Sequence, residues 1–214
     1  MRGVQRRWLW LKLALGVLCT CPALDLIRVL SQMNRHFITA YDNRVFRVAI
    51  EASGAWAFIF LFIVLACTPV QRLTGWAWVR AVRRLLGLFA FFYVVLHFAA
   101  YFVVGQKFHF DYLMFDALQA KSRIPGWLAL LLLIPLALSS TDGMVRRIGA
   151  RRWKWLHRLV YPAVALALWH LAWTEVDHGS TDFHETRTAL IPFVLVLLAR
   201  LVPSSWFRRS QARP

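Results

Sequence analysis

Six apolar stretches, at about 8–24, 54–70, 85–104, 125–140, 155–174 and 187–203, are separated by connections that carry most of the charged residues. Each is close to the length that crosses a bilayer core about 30 Å thick as a helix rising about 1.5 Å per residue. Inside lipid every backbone N–H and C=O must be satisfied within the protein, so runs of this kind fold as helices. The 214 residues are 59% hydrophobic with a mean hydropathy of +0.52, far more apolar than a soluble domain. No repeat, linker or low-complexity tract divides them. The expected architecture is all-α: residues 1–214 form a single polytopic membrane bundle of about six transmembrane helices.

The charge pattern gives such a bundle a direction. The chain carries 26 basic and 10 acidic side chains. Connections 1–7, 71–84, 141–154 and 200–214 hold sixteen Arg or Lys against the single acid Asp142, whereas 25–53, 105–124 and 175–187 hold eight basic residues and nine acids. An excess of positive charge marks the cytoplasmic side, which predicts N-in/C-in topology. The pI near 11.3 does not indicate nucleic acid, because the arginines fall between apolar runs and no nucleic-acid module is visible. Arg2, Arg6 and Arg7 before the first stretch resemble the start of a signal peptide, but Cys21-Pro22-Ala23 is a weak cleavage site and an uncleaved span is expected.

Three histidines, His97, His157 and His170, lie inside apolar runs, where imidazole is rarely found unless it serves a function. His97 lies twelve residues after Leu85 in the third stretch, and His170 lies thirteen after His157 in the fifth, which runs the same way. The two rings are therefore expected at one depth, towards the outer face. Such a pair suits the two axial positions of a haem, a hydrogen-bonded contact between helices, or a copper or zinc ion; haem is the favoured choice. Cys19, Cys21 and Cys67 form neither a C-x-x-C pair nor a c-type attachment, so they are expected to be small buried hydrophobes and any haem to lack thioether links.

His157 sits at the cytoplasmic end of the fifth stretch, level with Arg83 and Arg84, neither of which is an iron ligand. In a straight helix it points about 140° away from His170, and Pro162 between them is expected to bend the helix. A symmetric second haem is not expected there. His157 is a candidate for holding a second cofactor or its phosphate, or is simply a surface histidine. Arg83, Arg84, Arg146, Arg147, Arg151 and Arg152 cluster beside it, for lipid phosphates or, at Arg83, Arg84, Arg151 and Arg152, for a flavin phosphate or haem propionates. His36, His109, His178 and His184 fall in outer connections and are expected to be solvated. The outer stretch 105–124, with Phe108, Phe110, Tyr112, Leu113, Met114 and Phe115, borders the headgroups or offers a docking face.

No G-x-G-x-x-G follows a strand, no P-loop is present and no intramembrane carboxylates pair, so nicotinamide chemistry on this chain is not expected. Electrons must come from another protein or a lipid-soluble donor.

Several motifs in order resemble the MsrQ (YedZ) family: Arg83-Arg84-Leu85-Leu86-Gly87-Leu88 leading to Leu96-His97, then Ser140-Thr141-Asp142-Gly143-Met144, then Arg152-Trp153-x-x-Leu156-His157-Arg158-Leu159-Val160-Tyr161, then His170-x-x-Trp173. This family is the haem-binding membrane subunit of the bacterial periplasmic methionine sulfoxide reductase system, within the ferric-reductase-like transmembrane group that also includes the membrane part of NADPH oxidases. The resemblance is tightest over about residues 80–174. Pro162 stands where the family more usually has an apolar residue, and Lys121–Gly126 follows its Arg-Pro-Tyr pattern loosely.

The resemblance implies an electron-transfer subunit with b-type haem and FMN, and leaves room for a second haem or a quinone. Electrons would come from a cytosolic flavin reductase or the quinone pool and go to MsrP, a periplasmic molybdopterin enzyme that repairs oxidised envelope proteins. His97 and His170 match the family's haem-ligand positions and His157 its third membrane histidine. Sulfoxide reduction itself is expected on the partner, with no catalytic residue here. Alternatives are a quinol-dependent ferric reductase and a non-catalytic membrane anchor or assembly factor.

Overall fold

Helix is the only regular structure among the described residues of the computed structural model, which are 2–36, 43–105, 109–111, 115, 119, 122–179 and 182–201. The elements are α1 (Arg2–His36), α2 (Asn43–Thr74), α3 (Ala77–Ala100) running on into a π turn (Tyr101–Gly105), α4 (Arg123–Leu138), α5 (Asp142–Ile148), α6 (Ala150–Leu156), a 3-10 turn (His157–Leu159), α7 (Val160–Asp177) and α8 (His184–Leu201). Pro22, Pro69, Pro135 and Pro192 lie within helices, which membrane helices tolerate better than soluble ones.

Four stretches are long and apolar enough to cross a membrane: Trp10–Arg28, Arg47–Thr74, Ala77–Val103 and Ala150–Asp177. A fifth counts if α4 is joined to α5 across a 92° bend. The sixth expected span corresponds to α8, whose polar first turn (His184, Glu185, Thr186, Arg187) and terminal Arg200 dilute its hydropathy. Large apolar side chains stand on the outside of the bundle, including Trp169, Leu195 and Leu201, as lipid contact permits and water would penalise. The chain is an all-α polytopic membrane protein.

Two helix pairs build the interior. The α2–α3 pair is zipped by aromatic rings, with Phe60 stacked on Tyr93 at 5.3 Å and on Phe89 at 5.9 Å. Tyr93 is fully buried, and its hydroxyl donates to the Cys19 carbonyl at 2.9 Å, tying α1 to the pair. The second pair is α4 with α7. Of the three cysteines, Cys19 and Cys67 are buried as expected, but Cys21 is exposed, its thiol donating to the Val17 carbonyl at 3.4 Å.

Polar side chains finish the helix ends. Thr141 caps α5 by accepting from the Met144 N–H at 3.2 Å. Arg84 donates to Asp142 at 2.6 Å, fastening α3 to α5. Glu175 is buried at the end of α7 and caps α8: it accepts from the Glu185 N–H at 2.8 Å, the Thr186 N–H at 3.1 Å and the Thr186 hydroxyl. A carboxylate suits this place because the first N–H groups of a helix lack internal acceptors and carry partial positive charge.

Candidate functional site

His97 on α3 and His170 on α7 face each other across the junction of the two helix pairs. Their ring centroids are 6.2 Å apart and their planes are inclined at 77°. Each imidazole is seated on the other helix of its own pair, and the two seats follow one plan. His97 Nδ1 lies 2.8 Å from the Ile50 carbonyl oxygen of α2, and His170 Nδ1 lies 2.6 Å from the Ser122 carbonyl oxygen just before α4. A carbonyl can only accept, so Nδ1 carries the hydrogen in both rings, and in the neutral imidazole Nε2 then keeps its lone pair. A partner of this kind fixes the tautomer and orientation of metal-binding histidines.

Four residues after each accepting carbonyl stands a glycine. A Cβ added to Gly54 would lie 3.1 Å from Nδ1 and Cε1 of His97, and one added to Gly126 would lie 3.1 Å from Nδ1 of His170. The missing side chains let each ring press against the helix that holds its proton. Ser53, wholly buried beside Gly54, donates to the Ala49 carbonyl at 2.5 Å and presents its oxygen 3.5 Å from His97 Nδ1. Sequence reasoning did not find Ser53 or Gly54, and saw Gly126 only within a loosely matched loop. An i, i+4 carbonyl–glycine seat has no signature until its ring is in view.

The spacing of the pair suits one shared metal ion. A ring nitrogen about 2 Å from a metal puts its ring centre about 3.1 Å away, so two rings on opposite sides of one ion have centroids about 6 Å apart. Among the described residues no cluster of three or more His, Cys, Asp or Glu could hold an ion. A zinc site, which draws three or four ligands from the protein, is therefore not built here; a group that brings its own equatorial ligands fits two histidines.

His157 is not part of this pair. It opens the 3-10 turn at the other end of the α6–α7 span, its ring stacked 3.8 Å from that of Trp153. Its Nδ1 lies 3.1 Å from the Trp153 carbonyl and its Nε2 3.4 Å from the Ser140 hydroxyl, while Trp153 Nε1 donates to the Ser139 carbonyl at 2.9 Å. The tight turn falls where Pro162 cannot donate to the Arg158 carbonyl. Winding at about 120° per residue instead of 100° adds about 60° over three residues, which narrows the expected angle between His157 and His170 to about 80°.

The candidate arginines differ in their surroundings. Arg84 is engaged by Asp142, whose carboxyl is held below the usual carboxylate range by that hydrogen bond and charge. Arg151 and Arg152 are exposed on α6, and Arg83 is half-buried. Arg151, Lys154, Trp155 and Arg158 line an open surface groove of about 410 Å3, on a different element from the histidine pair. His109, His178 and His184 are exposed. Phe110 and Phe115 are exposed too, while Phe108, Tyr112, Leu113 and Met114 lie outside the described residues.

Residues 53–168, which run from Ser53 almost to His170, match the family model described as ferric reductase like transmembrane component. The chain is 42% identical to the protein-methionine-sulfoxide reductase heme-binding subunit MsrQ of Herminiimonas arsenicoxydans, over 74% of this chain and 72% of that one. The chain belongs to the MsrQ family of ferric-reductase-like membrane subunits. It is 43% identical to the MsrQ of Rhodospirillum rubrum over 75% of this chain and 76% of that one. The magnetosome protein MamZ of Magnetospirillum gryphiswaldense is 44% identical over 55% of this chain but only 18% of its own length, so the same membrane core also occurs within a larger protein.

Proposed function

We propose that this MsrQ-family chain is a haem b electron-transfer subunit of the bacterial inner membrane, in which His97 and His170 would hold the haem iron. The facing of the two rings at 6.2 Å, each with Nδ1 held by a carbonyl and Nε2 left free, carries this assignment. The relatives' names as heme-binding subunits support it. Held by these two histidines, haem would supply a one-electron couple.

The chain's own contribution is to fix both imidazoles in direction through their Nδ1 hydrogen bonds, and to shield them among apolar helices. Electrons would enter on the cytoplasmic side from a flavin reductase or the quinone pool, with FMN as a further cofactor there, and leave towards the periplasmic molybdopterin reductase MsrP. Repair of methionine sulfoxide in periplasmic proteins would take place on that partner. No proton-handling dyad is needed for such a conduit.

Purified protein should show a low-spin b-type haem spectrum. His97→Ala and His170→Ala should each abolish it while the helical circular dichroism persists. If both variants keep the spectrum unchanged, the ligand assignment fails.

A further inference from the structure

Each histidine seat lies within one helix pair. Ile50 and Gly54 hold the ring of His97 inside α2–α3, and Ser122 and Gly126 hold that of His170 at the α4–α7 pair. Neither seat sets the distance between the pairs, yet two rings can share one metal ion only when their centres are about 6 Å apart. Something must bridge the two halves at this level.

α3 and α4 meet here in two rungs. Phe98 and Trp127 pack edge to face, with ring centroids 4.9 Å apart and planes at 71°. Arg123 lies over the ring of Tyr101, 5.6 Å from its centroid. The partners run in opposite order, 98 with 127 and 101 with 123, so the helices are antiparallel. Residues three or four apart share one helix face, so the two rungs form a continuous seam. Phe102 stacks on Phe98 at 6.5 Å and backs the first rung.

The seam is joined covalently to both seats. Phe98 follows His97, Trp127 follows Gly126, and Arg123 follows Ser122. Successive helical residues point about 100° apart. Thus α3 turns His97 to the facing ring and Phe98 to α4, while α4 turns Gly126 to His170 and Trp127 to α3. An edge-to-face pair is directional where an aliphatic contact only fills space.

We propose that Phe98 and Trp127, backed by Arg123 on Tyr101, are positioning residues whose seam fixes the gap between His97 and His170 and so keeps the pair ready for one iron. This rests on the assignment of haem to the two histidines and adds what sets their separation.

The full chain with its haem is purified in detergent as the parent, Phe98→Leu, Trp127→Leu and the double variant. Haem transfer to a scavenging globin and the low-temperature electron paramagnetic resonance of the oxidised iron are followed. Each single variant should lose haem roughly twofold to tenfold faster and alter the low-spin signal. The double variant should be no worse than the poorer single one, because all three remove the same contact. Trp127→Phe, which keeps a ring edge in place, should hold haem like the parent. So should Trp169→Leu, since that indole adjoins His170 in sequence but is exposed on the outside. Additive losses in the double variant, parent-like retention and signal in the single ones, or no rescue by Trp127→Phe would each overturn the proposal. The ligand assignment fails on a different result, retention of the haem spectrum by His97→Ala and His170→Ala. In that event the same cycle on unfolding midpoints of the haem-free chain tests the seam, and additive midpoints would overturn it.

Discussion

Gly126 lies directly behind the ring of His170, so close that a methyl group in place of its hydrogen would stand 3.1 Å from Nδ1. Gly54 stands in the same relation to His97. Gly126→Ala and Gly54→Ala should therefore push each imidazole off the carbonyl that holds it. Disturbing the outer partner of a metal-bound histidine costs roughly 10- to 100-fold in affinity, and haem retention on dilution should fall by that much. Gly16, with open space around it, supplies the control: Gly16→Ala should retain haem like the parent. Equal retention in all three would show that the seats do not matter.

Glu175 satisfies two backbone N–H groups and one hydroxyl in the first turn of α8. Glu175→Gln keeps one accepting oxygen and loses the charge. A lost cap of this kind destabilises by about 1 kcal/mol, or roughly 2–4 °C in a chain of this size. Calorimetry in detergent checks the shift, and an unchanged midpoint would rule out the cap as a stabilising contact.

Tyr93→Phe removes the hydrogen bond to the Cys19 carbonyl without changing the ring stack, a loss of about 1 kcal/mol. The effect should be local to α1. Cys19 is buried in the parent whereas Cys21 is exposed, so maleimide labelling should start at Cys21 and reach Cys19 faster in the variant. Unaltered protection of Cys19 would count against the tie.

Asp142 offers a test by pH. Its carboxyl titrates below the ordinary range because Arg84 donates to it. A group with a lowered value stabilises the fold above its unfolded pKa, and that contribution disappears as pH falls through the folded one. Arg84→Gln should thus lower the unfolding midpoint at neutral pH, and the difference should close towards acid. It should also shrink in roughly 1 M salt, where the screening length is about 3 Å. A gap independent of both would locate the effect elsewhere.

The helical membrane class and the meeting of His97 with His170 were legible because hydropathy and spacing along parallel spans need only one dimension. The roles of Glu175 and Arg200 were not. Both read as ordinary loop and terminal charges, yet each is folded back onto a neighbouring helix. Arg84 read as a candidate phosphate ligand, and its pairing with Asp142, 58 positions away, was not visible in the sequence. Pro162 signalled a break near His157, but not that the break would be a turn wound more tightly. The glycine seats were hidden for a related reason: glycine is common in membrane helices, and only the ring opposite gives it meaning.

Because Glu175 clasps the first turn of α8 and Arg200, donating to the Leu65 carbonyl and the Tyr161 hydroxyl, clasps α2 and α7 at the last, that helix is a strut pinned at both ends. Loosening one pin turns it into a lever about the other, and a disturbance at the outer surface would then be transmitted along its length to the arginine end.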